Sequence, residues 1–169
     1  IRKSLFDILR PRLSGALFLD MYAGTGTVGL EALSNGARRV VFIDASRDSC
    51  RMIERNAADI GFADRADVRL GDGTKNLYWL SGDPFDLIFM GPPYKDETKK
   101  PLALTVLALA RIAAAQILKP AGWVIAQPHD KEFMDGLEPC WDMFRENVYG
   151  DSVLSFFRLK GTAPSAAAD

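Results

Sequence analysis

Three glycines, Gly24, Gly26 and Gly29, lie between two short apolar runs, and each run ends in an aspartate: Asp20 before the glycines, Asp44 after them. The first run, Ala16-Leu17-Phe18-Leu19, and the second, Arg39 to Ile43, have the unbroken apolar character of strands buried on both faces of a sheet. Between them, Thr27 to Ser34 reads as a helix that Asn35-Gly36 stops. Strand, glycine loop, helix and strand in immediate succession make a βαβ unit, whose strands must run parallel because a helix carries the chain from one to the other. Such units build open α/β sheets that hold ligands at the carboxyl ends of their strands.

The alternation continues downstream. Ser46 is placed to cap a helix whose Cys50, Ile53, Ala57 and Ile60 share one face before Gly61 ends it. Ala66 to Leu70 is a third strand, leading to Gly71-Asp72-Gly73 and then a short helical turn through Leu77 and Leu80. Phe85 to Met90 is the fourth. It runs into Gly91-Pro92-Pro93-Tyr94, where two prolines forbid further pairing in a central strand. Pro101 fits the first position of a long helix reaching Leu118, which Lys119-Pro120-Ala121-Gly122 closes before a fifth strand at Trp123 to Ala126. Trp141 to Tyr149 and Val153 to Leu159, joined by Gly150-Asp151, form a hairpin and therefore an antiparallel edge. Upstream, Leu5, Ile8 and Leu9 set a helix over Ile1 to Arg10 that Pro11 stops.

The expected fold is a doubly wound α/β domain: a mostly parallel, seven-stranded, Rossmann-like sheet with an antiparallel C-terminal hairpin. The 169 residues suit one such domain, over 1–160, with a basic N-terminal helix over 1–12 and a small, polar, disordered tail over 161–169.

Charge constrains the partner. Twenty-one basic residues face 22 acidic ones, a net charge of -1, so a nucleic-acid partner has to be held by a local basic patch and not by a field around the whole molecule. The most basic short stretch is the opening helix, with Arg2, Lys3, Arg10 and Arg12 against Asp7. Arg2 and Lys3, with Lys95 beyond the proline loop, are candidate phosphate contacts, although a solvated helix face has the same composition. Cys50 and Cys140 have no motif spacing and are too few for a disulfide framework, and with the lone His129 they make no zinc set. This reads as a reduced, metal-free, cytoplasmic protein. No apolar run approaches the roughly 18 residues needed to cross a bilayer, and no secretory h-region opens the chain.

The glycine loop lets backbone approach a ligand closely and aims helix N–H groups at it. Alone it suits a nicotinamide or flavin cofactor as well as S-adenosylmethionine, and Asp44 suits all of them because an acid ending the second strand can bond ribose hydroxyls. Two features favour a methyl donor. Asp20 ends the first strand just before the loop, where it attracts a cationic amino-acid group and repels a pyrophosphate. Pro92-Pro93-Tyr94 ends the fourth, a stiff loop offering carbonyl acceptors and an aromatic face to a flat, amino-bearing base. Neither has a role in a dinucleotide-dependent oxidoreductase.

The segment from Asp20 to Ala37, Asp-Met-Tyr-Ala-Gly-Thr-Gly-Thr-Val-Gly-Leu-Glu-Ala-Leu-Ser-Asn-Gly-Ala, resembles the RsmD-type guanine methyltransferases of small-subunit ribosomal RNA. The likeness extends to the opening Arg2-Lys3-Ser4-Leu5-Phe6-Asp7-Ile8-Leu9, to Phe42-Ile43-Asp44, to the proline loop and to the closing hairpin. It implies the class I methyltransferase fold and methyl transfer from S-adenosylmethionine to the exocyclic amino group of a guanine, leaving S-adenosylhomocysteine. The implied partner is ribosomal RNA or a partly assembled small subunit, bound by a monomer without metal or membrane. By the resemblance, Asp20, Tyr22, Ala23, Gly24 and Gly26 wrap the methionine part, Asp44 and Ala45 the ribose, and Asp72 with Gly73 the adenine; a plain Gly-Asp-Gly turn explains Asp72 equally well. Gly91, Pro92, Pro93 and Tyr94 form the catalytic loop.

One position departs from the family. Its loop opens with Asp or Asn, whose side-chain oxygen accepts a hydrogen bond from the target amino group, and here that residue is Gly91. Carbonyls at Gly91 and Pro92 and stacking on Tyr94 remain. Loss of one positioned polar group implies a rate loss of roughly 10²- to 10³-fold, or a protein that keeps the pocket as an RNA-binding or assembly factor. Asp86 starts the fourth strand at the wrong end to replace the missing oxygen, leaving Asp96 as a loop candidate; His129 reads as a surface histidine.

Overall fold

The computed structural model describes residues 1–80, 82–91, 104–127, 137 and 139–161. The chain alternates as α1 (Arg2–Leu13), β1 (Leu17–Met21), α2 (Thr27–Ser34), β2 (Arg39–Asp44), α3 (Arg47–Asp59), β3 (Ala66–Leu70), β4 (Phe85–Met90), α4 (Leu104–Ala115), β5 (Leu118–Ala126), β6 (Trp141–Tyr149) and β7 (Ser152–Leu159). A 3-10 turn, Tyr78–Leu80, occupies the crossover between β3 and β4.

The sheet has seven strands in the order β3-β2-β1-β4-β5-β7-β6, parallel from β3 to β5 and antiparallel at β7 and β6. Strand order reverses at β1, which pairs with β2 on one side and β4 on the other, so the carboxyl end of β1 is the switch point where such sheets open a crevice. Successive side chains of a strand point to opposite faces, and the core divides accordingly. Phe18, Val40, Phe42, Leu87, Phe89 and Ile125 pack beneath α1, α2 and α3. Leu19, Met21, Val41, Ile43, Ile88 and Met90 pack beneath α4 and the 3-10 turn.

α2 lies close to the sheet because Gly29 has no side chain. A Cβ there would sit 2.8 Å from Phe42 Cζ and 2.9 Å from Val40 Cγ1, and both of those side chains are buried. Gly29→Ala is expected to lower stability by about 1–3 kcal/mol through overpacking, offset by up to about 1 kcal/mol of helix propensity. Urea unfolding checks this; an unchanged or higher midpoint would show that Phe42 yields freely.

Three local expectations are corrected. Pro11 does not stop α1, which runs on to Leu13. Proline near the end of a helix forfeits one backbone bond, whereas the last turn buries Leu13 completely and lays the Arg12 guanidinium on the Trp123 ring at 3.8 Å, with Nη1 donating to the Ala121 carbonyl at 3.1 Å. Leu118 is not the end of α4 but the first residue of β5: α4 stops at Ala115, and Gln116 turns with φ +53°. Phe85 pairs with Leu118 and Leu87 with Trp123, so residues 119–122 form a bulge that absorbs Pro120 while Lys119 Nζ reaches Asp86 Oδ1 at 2.9 Å. Ile60 lies beyond the last turn of α3 and is exposed, whereas Cys50, Ile53 and Ala57 face inward as expected. Ser46 caps that helix, its Oγ accepting from the Ser49 amide at 3.2 Å.

Candidate active site

Parallel strands bring their carboxyl ends to one rim, so Met21, Asp44, Leu70 and Met90 end side by side, and residues far apart in sequence become neighbours. Tyr22 to Gly26 leave β1 along this rim. Gly24 and Gly26 take φ of +60° and +82°, a region open to glycine at little cost, and Tyr22 takes φ +57°, which is uncommon for a bulky residue. The Gly26 amide donates to the Ala23 carbonyl at 2.8 Å, and Ala23 donates to Ile43 at 2.9 Å, which stitches the loop to β2. Among the described residues nothing lies within 4 Å of where a Gly24 Cβ would be, so they leave the backbone open on that side.

Asp20 and Asp44 hold this loop from below and from the side. Asp20 is only 2% exposed, and its Oδ2 accepts from the Gly29 amide at 3.0 Å. Burial pushes its carboxyl up to about 8, against the opposing effect of the Gly29 N–H and with a further rise from the Asp44 charge. Asp44 Oδ2 accepts from the Gly24 amide at 2.8 Å and Oδ1 from Ser46 at 2.9 Å, fixing where the turn after Ala45 begins. Each carboxylate oxygen has capacity for a second bond, so Asp44 can brace the loop and still meet a ligand hydroxyl.

At the end of β3 the Gly71 amide donates to the Asp44 carbonyl at 3.0 Å. Asp72 is exposed and closes a turn on Thr74, accepting from its amide at 2.9 Å and its hydroxyl at 2.6 Å, contacts that lower its carboxyl below the ordinary range. Gly73 is buried against Met21 and Tyr22: an added Cβ would fall 2.8 Å from Met21 Cε and 3.2 Å from Tyr22 Cζ. The glycine loop and the β3 loop therefore meet at Gly73, with Gly91 on the same rim at the end of β4.

Of the residues singled out from sequence, Asp20, Tyr22, Ala23, Gly24, Gly26, Asp44, Ala45, Asp72, Gly73 and Gly91 come together at this rim. Arg2 and Lys3 are exposed on the first turn of α1, where Arg2 Nε lies 2.9 Å from Glu31 Oε2 of α2. Pro92, Pro93, Tyr94, Lys95, Asp96 and His129 lie outside the described residues. Asp86 belongs to the opposite end, as its position in β4 suggests: Oδ2 accepts from the Leu17 amide at 2.8 Å. Asn56 had no distinguishing sequence signal. Its Nδ2 donates to the Thr25 carbonyl at 3.1 Å across 31 positions, bracing the loop from α3.

The donor set identifies what the crevice can hold. No lysine or arginine occurs between Asp20 and Leu30, the Asp44 carboxylate meets the loop, and burial keeps the Asp20 carboxyl beneath it largely protonated at neutral pH, an arrangement that suits a cationic amino-acid end and sugar hydroxyls better than a pyrophosphate. Among the described residues no group of three His, Cys, Asp or Glu side chains is placed to hold a metal ion, and no helix is long and apolar enough to cross a membrane. Burial pushes the Cys50 thiol up, so it stays protonated at neutral pH.

The family model described as conserved hypothetical protein 95 matches residues 1–158. YlbH of Bacillus subtilis (strain 168) is 28% identical over 165 residues, covering 95% of this chain and 85% of that protein. The ribosomal RNA small subunit methyltransferase D of Escherichia coli (strain K12) is 26% identical over 173 residues, covering 99% of this chain and 80% of its own length. Among solved structures, yhhF from Escherichia coli superposes with a TM-score of 0.80 at 23% identity, over 95% of this chain and 86% of that one, a likeness of fold.

Proposed function

The chain belongs to the conserved hypothetical protein 95 family, and from that premise we propose that it is an S-adenosylmethionine-dependent methyltransferase acting on the exocyclic amino group of a guanine in small-subunit ribosomal RNA. Relatives along nearly its whole length are named as ribosomal RNA methyltransferases, and the fold is that of class I methyltransferases. The observation that carries the reading is the rim itself: a glycine loop with two acids and no basic residue, continuous with the end of β4. Catalytic inactivity, with the pocket kept for RNA binding or subunit assembly, is not favoured, because the relatives bear enzyme names.

The group that fits this crevice supplies an electrophilic methyl on a sulfonium. Tyr22, Ala23, Gly24 and Gly26 hold its amino-acid end, with Asp20 beneath them; Asp44 and Ala45 take the ribose, and Asp72 with Gly73 the adenine. Gly91, Pro92, Pro93 and Tyr94 orient the base, the carbonyls of Gly91 and Pro92 accepting from its amino group and the Tyr94 ring stacking on it. Catalysis is mostly alignment of the amino nitrogen with the methyl. The guanine has to enter unstacked, from a loop, a bulge or by extrusion. A net charge of -1 gives no bulk attraction for RNA, which supports a partly assembled subunit as substrate, approached by a monomer in the cytoplasm with Arg2, Lys3 and Lys95 on phosphates.

Labelled S-adenosylmethionine incubated with small-subunit particles that lack guanine amino methylation tests this. Label on a guanine amino group is the expected result. Cofactor binding without transfer to any small-subunit RNA would overturn it.

A further inference from the structure

The crossover from β3 to β4 shows what the proposed chemistry does not use. It carries a 3-10 turn in place of a full helix, and this turn leaves two adjacent aromatic residues in solvent: Tyr78 is 57% exposed and Trp79 42%. Leu77 and Leu80 supply the turn's buried anchors, and the aromatic residues between them keep a large share of their surface in solvent. Trp79 is nevertheless held in place. Its ring edge rests on Gly71, where a Cβ would come within 2.9 Å of Cζ2, and the Arg69 guanidinium lies 5.9 Å from the ring centroid.

Beside the turn is a cavity of about 200 Å³ lined by Arg38, Arg39 and Arg69, with Leu80, Gly82 and Asp83 also on its wall. Asp67 accepts from both Arg39 and Arg69, holding the two guanidiniums in fixed positions, and Arg69 keeps the Asp67 carboxyl below its usual range. A guanidinium has five N–H donors, so each retains capacity for a phosphate after meeting one carboxylate. Three arginines face two acids, Asp67 and Asp83, and the local balance is positive on a molecule whose total is -1.

Flat aromatic plates next to fixed guanidiniums match single-stranded RNA, whose unpaired bases stack and whose phosphates need cations. We infer that Tyr78, Trp79 and the Arg38–Arg39–Arg69 cavity form an RNA-docking surface, distinct from the methyl-transfer rim, that holds an unpaired stretch of the substrate. A base stacks on Trp79, a second plate is offered by Tyr78, and a neighbouring phosphate enters the arginine cavity. A duplex presents no free base face and does not dock. The inference rests on the reading above for the chemical class of partner.

Intrinsic fluorescence locates the contact, because the other tryptophans, Trp123 and Trp141, are 6% and 2% exposed. Titration of the full chain with an unlabelled single-stranded RNA 12-mer is expected to quench the exposed tryptophan, and the same sequence as a duplex is expected to leave it unchanged. Anisotropy of a labelled 12-mer then gives affinity. Trp79→Ala is expected to weaken binding roughly 5- to 100-fold, the range that stacking of one base supplies, whereas Trp79→Phe recovers most of it. Arg38→Ala with Arg39→Ala is expected to weaken binding and lower the salt slope by about 1–2. S-adenosylhomocysteine affinity, measured by calorimetry, stays at the wild-type value in all of these variants. Absence of quenching by single-stranded RNA, equal quenching by the duplex, unchanged affinity in Trp79→Ala, or quenching by S-adenosylhomocysteine alone would each overturn the inference. If subunit methylation proceeds in the wild type without these effects, the surface is wrong and the methyltransferase reading stands. If RNA quenches Trp79 and no label is transferred, that reading fails and the surface remains.

Discussion

Gly91→Asp is expected to raise kcat for methyl transfer roughly 10²- to 10³-fold, equivalent to about 2.7–4 kcal/mol of transition-state stabilisation, by analogy with one positioned oxyanion-hole group. The backbone can take the side chain. Gly91 has no left-handed φ, and among the described residues its added Cβ would meet only Phe89, at 3.2 Å from Cε1 and 3.7 Å from Cζ, a contact that a shift of a few tenths of an ångström in that ring relieves. In the proposed reaction, an oxygen at this position would accept a hydrogen bond from the amino group of the base and turn the nitrogen lone pair toward the methyl. It acts on the aligned state, so kcat rises while RNA affinity changes little. Gly91→Asn should follow Asp, and Gly91→Ala, with no oxygen, should give no gain. If Ala accelerates transfer as much as Asp, the effect is loop stiffening and the role assigned to the oxygen is wrong.

The second large effect concerns Asp20 and pH. Its carboxyl titrates at about 8 in the folded chain, chiefly through burial, against 3.8 as the ordinary value. Between about pH 4 and pH 8 the folded state therefore keeps a proton that the unfolded state has released. Stability falls as pH rises through this window, by up to about 1.4 kcal/mol per pH unit for one proton, and is flat on either side. Asp20→Asn keeps an oxygen for the Gly29 amide and carries no charge, so its stability should lack this slope and exceed that of the wild type at pH 8. Positive charge brought to the loop by a ligand favours the ionised acid. Cofactor binding to the wild type should consequently tighten as pH rises over the same window, and binding to Asp20→Asn should not. Urea unfolding and calorimetry from pH 5 to 9 measure both; an equal slope in the two proteins would place the titrating group elsewhere.

Much of the site is legible in the sequence, and for a definite reason. The residues that line the rim sit at strand ends, where an apolar run gives way to glycine, aspartate or proline, and that change is visible in a single stretch of sequence. Asp20, Gly24, Asp44, Asp72 and Gly91 were all marked in this way. The partners that hold them were not. Asp44 with Gly24, Asp20 with Gly29 and Asn56 with Thr25 are contacts made by the crossover, and no local pattern encodes them.

Sequence alone determined the βαβ repeat, the parallel sheet with its antiparallel hairpin and the order of ligand-facing loops, because apolar periodicity and glycine–proline punctuation act over a few residues. Tertiary structure decided the rest. Docking of Leu13 and Arg12 carries α1 past Pro11, pairing with β4 draws Leu118 out of a helical pattern into β5, and the short β3–β4 crossover leaves Trp79 exposed. In the first two cases a local preference worth at most a few kcal/mol is set against burial or pairing with residues distant in sequence, and these distant contacts prevail.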